Sequence, residues 1–214
     1  DQSAALTPAQ MAAFSTVQIP VLATVNIQAL SSLQIGILGA QQVSVLRTTQ
    51  VSALTSTALG ALGTLQVQIL SSNQLRALGT SGVRVLSTAQ LQAITSARLQ
   101  TLSTEQEAVW STAQVSALTT LQVSSLTTQQ IASLSTVQAA ALTGAQIPVL
   151  SSGQLRALET QDLQALGTSQ MLAITSDQVR FLSTGQISVF TTAQLQAWDG
   201  TRISPLDTAQ IRAL

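Results

Sequence analysis

One eight-residue phrase constrains this chain more than any other feature. It reads [Ser/Thr]-[Ser/Thr]-x-Gln-[Val/Ile/Leu]-x-x-Leu, as at residues 111–118 and again at 119–126. Set in phase from Thr7, the phrase runs to Leu214 as 26 consecutive octads, with no insertion or deletion. A partial octad occupies residues 1–6. Such a fixed period marks a repeat architecture, in which each element buries its apolar face only by stacking on its neighbours.

Octads are numbered here from Thr7 and their positions from one to eight. Position eight is apolar throughout: 20 are Leu, and the others are Phe14, Ile94, Trp110, Ile174, Phe190 and Trp198. Position five is aliphatic, with Glu107 and Ala139 the main departures. Position four is Gln in 20 octads. Position one is Ser, Thr, Asp or Gly in 23, the exceptions being Ala23, Arg47 and Glu159.

A continuous helix cannot carry this pattern. Eight residues advance an α-helix by ~800°, which would rotate the apolar stripe by ~80° per octad. A strand-like alternation fails too, because positions five and eight have opposite parity. The chain must therefore turn once per octad.

Each octad also supplies a helix start. Ser or Thr at position one and Gln at position four form a capping box, in which hydroxyl and amide oxygen each accept a backbone N–H. The preceding Leu and the aliphatic at position five then stand as a hydrophobic staple. Pro8 falls on the first helical position, where proline is tolerated. Pro20 and Pro148 at position six and Pro205 at position seven keep the helix short. One or two turns of α or 3₁₀ helix, then an extended tail, is the expected course. Helices this short hold only by packing.

A longer period of 40 residues also runs through the chain. Ser31-Ser32, Ser71-Ser72 and Ser151-Ser152 lie 40 and then 80 residues apart, as do Thr55-Ser56, Thr95-Ser96 and Thr175-Ser176. Bulky residues at position seven follow the same rhythm. Read structurally, this implies five octads per coil; chance or a recent gene duplication is the alternative. The expected fold is an all-α solenoid of very short helices, one per octad and about five per 40-residue coil. Positions five and eight would face its axis, and positions two, three and six the outside. Residues 1–214 read as a single continuous array. A parallel β-solenoid is the alternative, favoured by the Thr, Val and Ile content.

Composition narrows function. Charged residues are 7%, the formal net charge is zero, every basic residue is Arg, and there is no His or Cys. A neutral chain has no electrostatic attraction to nucleic acid or anionic lipid. No apolar run reaches the ~20 residues that span a bilayer. The commonest metal ligands and the commonest general base are missing. The acids are Asp1, Glu105, Glu107, Glu159, Asp162, Asp177, Asp199 and Asp207. Glu105 and Glu107 are the closest pair in sequence, and they are expected to point apart. Glu107 takes an inward position, from which it is expected to reach solvent by distorting its octad. Arg98 and Arg202 replace the Gln of the box and read as solvated or ion-paired surface residues. Gly39, Gly63, Gly79 and Gly167 stand at the cap position. Phe14, Trp110, Phe190 and Trp198 read as core fillers. No catalytic, cofactor-binding or metal-binding residue is expected, and the chain is not expected to be an enzyme.

Leu6-Thr7-Pro8-Ala9-Gln10-Met11 is similar to the opening of a TAL-effector repeat, over one octad only. The longer period and basic balance of that family are absent, so DNA binding does not carry over. The tandem Leu-Thr-Thr-x-Gln-[Val/Ile] phrase resembles octad arrays of large bacterial surface or secreted repeat proteins, over nearly the whole chain. That resemblance implies a stalk, shaft or fibre at the cell surface or outside the cell, with no catalytic residues to transfer.

The expected role is a rigid rod, stalk or head-to-tail filament that self-associates through coil ends or side to side. Neither end carries a charged capping octad, so the array either continues in a longer protein or stacks on other molecules. The alternative role is a binding surface for ice or polysaccharide, built from outward Ser and Thr.

Overall fold

The structure, a computed structural model, describes residues 2–214; Asp1 lies outside them. Among the described residues every regular element is helical and there is no strand. The β-solenoid alternative therefore falls. Each of the 26 octads holds one helix, α-helical over four to seven residues or 3₁₀.

Octad 14 (residues 111–118) shows how the phrase makes its fold. Ser111 is extended (φ −73°, ψ 160°) and caps helix Thr112–Ala117. Its Oγ accepts the Gln114 N–H at 3.2 Å, and Gln114 Oε1 accepts the Ser111 N–H at 2.8 Å. Leu118 N–H closes the last turn onto Val115 O at 3.2 Å. Leu118 is then extended again (φ −54°, ψ 137°). Positions eight and one thus form the corner. The proline octads behave as their sequence demands: Ile19–Val21 and Ile147–Val149 are single 3₁₀ turns.

One corner breaks the rule. Leu78 is helical, and Gly79 follows at φ +62° inside helix Gly79–Val85, which has no side-chain cap. Gly79 is therefore not a cap residue but a left-handed joint between two nearly continuous helices, a conformation that costs any residue with a Cβ.

The chain forms two compact bodies, Asp1–Val109 and Trp110–Leu214. In both, positions five and eight are buried except near the ends of the array, where Phe14, Leu22, Leu195, Ile203 and Leu206 are half-buried and Ile211 and Leu214 exposed; position seven is typically half-buried, and positions two, three and six are typically exposed. Position four is also buried wherever Gln holds it from Gln34 onward.

Helices stack on those three octads away. In the N-terminal body Thr64–Ile69 lies between Ala40–Ser44 and Thr88–Ala93; in the C-terminal body Thr128–Ala132 packs on Ser152–Ala157. Hydrogen bonds between coils join residues 28 to 31 apart, as in Gln66 to Leu38 and to Ile35. The coil is thus about 28 residues, or three and a half octads, and not the five that the 40-residue recurrence suggested. The reason is packing. Five walls would enclose a lumen too wide for two apolar positions per octad, whereas the narrower coil brings them into the close-packed contact an interior requires. Nothing in the structure explains the 40-residue recurrence.

Candidate functional site

The most elaborated feature of the molecule is the joint between coils, and its central residue is the Gln at position four. A short helix leaves its last carbonyls without intrahelical partners. In octad 14 Ser116 O and Leu118 O are of this kind, and Val115 O receives only the Leu118 N–H from within the octad, at 3.2 Å. Gln146, in the next coil, donates Nε2 to all three at 3.0, 3.3 and 2.7 Å. Its Oε1 meanwhile accepts the Thr143 N–H of its own octad at 2.7 Å. One amide thus caps its own helix and closes the end of the helix below.

The arrangement repeats in both bodies. In the N-terminal body, Gln42 donates to Met11, Ala12 and Phe14 carbonyls, and Gln74 to Val43, Ser44 and Leu46. In the C-terminal body, Gln154 serves Val123, Ser124 and Leu126, and Gln194 serves Leu163, Gln164 and Leu166. Glycine caps keep the acceptor half: Gly39, Gly63 and Gly167 each donate N–H to the Gln three residues on.

Six octads lack the Gln. Asn26, Ala58 and Gly82 are shorter. A Cβ at Gly82 would lie 2.9 Å from Leu78 Cβ and 3.1 Å from Leu59 Cδ1, so the gap is already filled. Arg98 and Arg202 keep the donor. Arg202 Nε bonds Ile174 O at 2.9 Å and its Nη2 bonds Leu172 O. Arg98 Nη1 bonds Gln68 O. Arg202 is also ion-paired with Asp199 at 3.2 Å, as expected. Sequence reasoning missed that both arginines reach across to the neighbouring coil. The sixth, Asp162, accepts the Glu159 N–H at 3.1 Å and is 1% exposed.

Two arginines outside position four brace the coil in the other direction. Arg76 Nε and Arg156 Nε each bond the carbonyl 25 residues ahead, Thr101 O and Phe181 O, at 2.6 Å.

The remaining sequence candidates are dispersed. Glu105 is exposed, and the Ser103 hydroxyl holds its pKa low. Glu107 is 1% exposed, with its octad still capped by Ser103 and Gln106. The expectation that it would reach solvent is overturned: helix Thr104–Glu107 ends on it and its side chain stays inward. Asp199 is exposed, its pKa lowered first by the Thr201 hydroxyl and then by Arg202. Among the described residues no three of His, Cys, Asp or Glu are placed to hold a metal ion. No helix among them is long and apolar enough to cross a membrane.

Three of the four aromatic fillers are buried. Phe190 and Trp198 meet edge to face with centroids 5.2 Å apart, and Trp198 Nε1 bonds Met171 O at 3.1 Å. Trp110 is 4% exposed, and Phe14 is half-buried. Some position-three side chains are large and exposed, among them Val17, Leu33, Leu65 and Leu121. In the N-terminal body Leu33, Gly36, Ile37 and Ala61 line a shallow groove of ≈ 520 Å³.

Residues 70–104 and 155–192 match the ALTTAQ repeat family model. The six letters of that description correspond to positions seven, eight, one, two, three and four of the octad: the end of one helix, the corner, and the cap with its glutamine. Those six positions are the ones that build the corner and the joint in this chain. No curated protein matches the chain.

Proposed function

We propose that this chain is a structural protein, a stiff spacer that works as an extracellular or cell-surface rod, stalk or filament. The observation that carries the reading is the use made of its buried polar side chains. Position-four amides are spent on backbone joints between coils, an investment that resists bending and stretching rather than one that recognises a small molecule. A repeat-based structural role agrees with the ALTTAQ match. Low charge and a Ser, Thr and Gln surface suit lateral or end-to-end association with further copies.

Negative-stain images and sedimentation of the purified chain test this reading. Rods that lengthen with concentration are expected; a concentration-independent monomer sinks the filament reading. Thermal hysteresis, or binding on a glycan array, would move the assignment to an ice or polysaccharide surface instead.

A further inference from the structure

Asp162 occupies the position-four station in octad 20 (residues 159–166), where neighbouring octads carry the clamping Gln. Gln154 before it and Gln170 after it donate Nε2 to Leu126 O and Leu142 O, each 28 residues back. The carbonyls at the same offsets from Asp162 belong to Leu134 and Ile131. A carboxylate has no hydrogen to give them. It acts only as acceptor, taking the Glu159 N–H at 3.1 Å and the Thr136 hydroxyl.

We propose that Asp162 is a proton-gated form of the glutamine clamp. As a carboxylate it caps its own helix and leaves the joint to octad 16 (residues 127–134) without a side-chain donor. As a carboxylic acid it keeps one acceptor oxygen and gains an O–H for that joint, so the coil firms on acidification. This goes beyond the spacer reading, because it gives the array one joint whose strength follows pH.

The surroundings favour the neutral acid. Helix Thr160–Gln164 packs on Thr136–Ala139 and on Thr184–Ile187, and neither segment contains an ionisable side chain. Glu159, in the same octad, adds a like charge. Burial is the main cause that lifts the Asp162 pKa above its ordinary value of 3.8, against the opposing bond from Thr136. The sign follows. A raised acid binds its proton more readily in the folded state, so its share of stability is complete below the unfolded pKa and is lost as pH rises through the folded one. Glu105 and Asp199, whose pKa values are lowered, act in the opposite sense.

The test compares the full-length chain with D162N and D162Q in urea denaturation between pH 4 and pH 8. Asparagine and glutamine carry an N–H donor at every pH. The native chain should have the lower midpoint at pH 7, and the gap should close towards pH 4. A gap that is the same at all pH values overturns the proposal. Carboxyl NMR of the native protein gives a readout independent of any variant. Asp162 should titrate above the ordinary aspartate range, and T136V should raise its midpoint further. A midpoint at or below the ordinary value also overturns it.

Discussion

Gln154 Nε2 lies 2.7 Å from Leu126 O, twenty-eight residues earlier in the chain. That contact sets the pitch of the coil, because it ties the start of one helix to the end of another one turn below. Its donor is an amide whose oxygen is already committed to Ser151 N–H at 2.8 Å.

The joint should distinguish glutamine from glutamate. Gln146→Glu keeps an acceptor for the Thr143 N–H but aims a carboxylate at three carbonyl oxygens. The loss should exceed the ~1–3 kcal/mol of an unsatisfied buried group. Gln146→Ala should fall within that range. Chemical denaturation at pH 7 ranks the two, and a harmless glutamate would mean that the amide N–H₂ carries no load.

The cap is a smaller effect. Ser111→Ala removes the oxygen that accepts Gln114 N–H and should cost ~1 kcal/mol. Thr112, exposed at position two, should cost less when changed to Ala. Equal losses in a melting comparison would contradict the phase assigned to the octad.

Leu118 is 4% exposed. Truncation to Ala leaves a cavity at the corner of the coil and should cost ~2–5 kcal/mol. A value near zero from equilibrium unfolding would place position eight outside the core.

Two glycines should respond in opposite senses. Gly79→Ala puts a Cβ into a left-handed backbone (φ +62°) and should destabilise by ~1–2 kcal/mol. Gly60 ends helix Ser56–Gly60 with nothing within 4 Å of a built Cβ. Gly60→Ala should be neutral or stabilise by up to ~1 kcal/mol. Thermal melts of both variants check the pair.

The local fold was legible in the sequence because its signals are local. Ser111, Gln114, Val115 and Leu118 lie within one octad, and cap, staple and corner follow from their spacing. Pro20 and Pro148 announced 3₁₀ turns for the same reason. The number of octads per coil was not legible, since it is set by how Gln146 meets Leu118 across an intervening turn of chain. A clue was nevertheless present. A capping box accepts Glu as readily as Gln, yet position four holds Gln in 20 octads and Glu in none. That bias marks a residue needed as donor as well as acceptor. Arg98 and Arg202 carry the same message, as they sacrifice the acceptor and keep the donor. Glu107 misled because an inward carboxylate was expected to escape to water, and its capped helix holds it in.

The offset of twenty-eight residues is three and a half octads, so successive layers are laid half a brick apart. A glutamine meets the end of the helix below, whichever octad that helix belongs to. Loss or gain of one whole octad by slippage in the coding repeat would present each later glutamine with an equivalent set of carbonyls. Any other length change would set the corners of every later layer against the wrong courses. The masonry therefore tolerates growth and shrinkage in steps of eight, and lengths that differ by multiples of eight are the variation this bond leaves open to a gene.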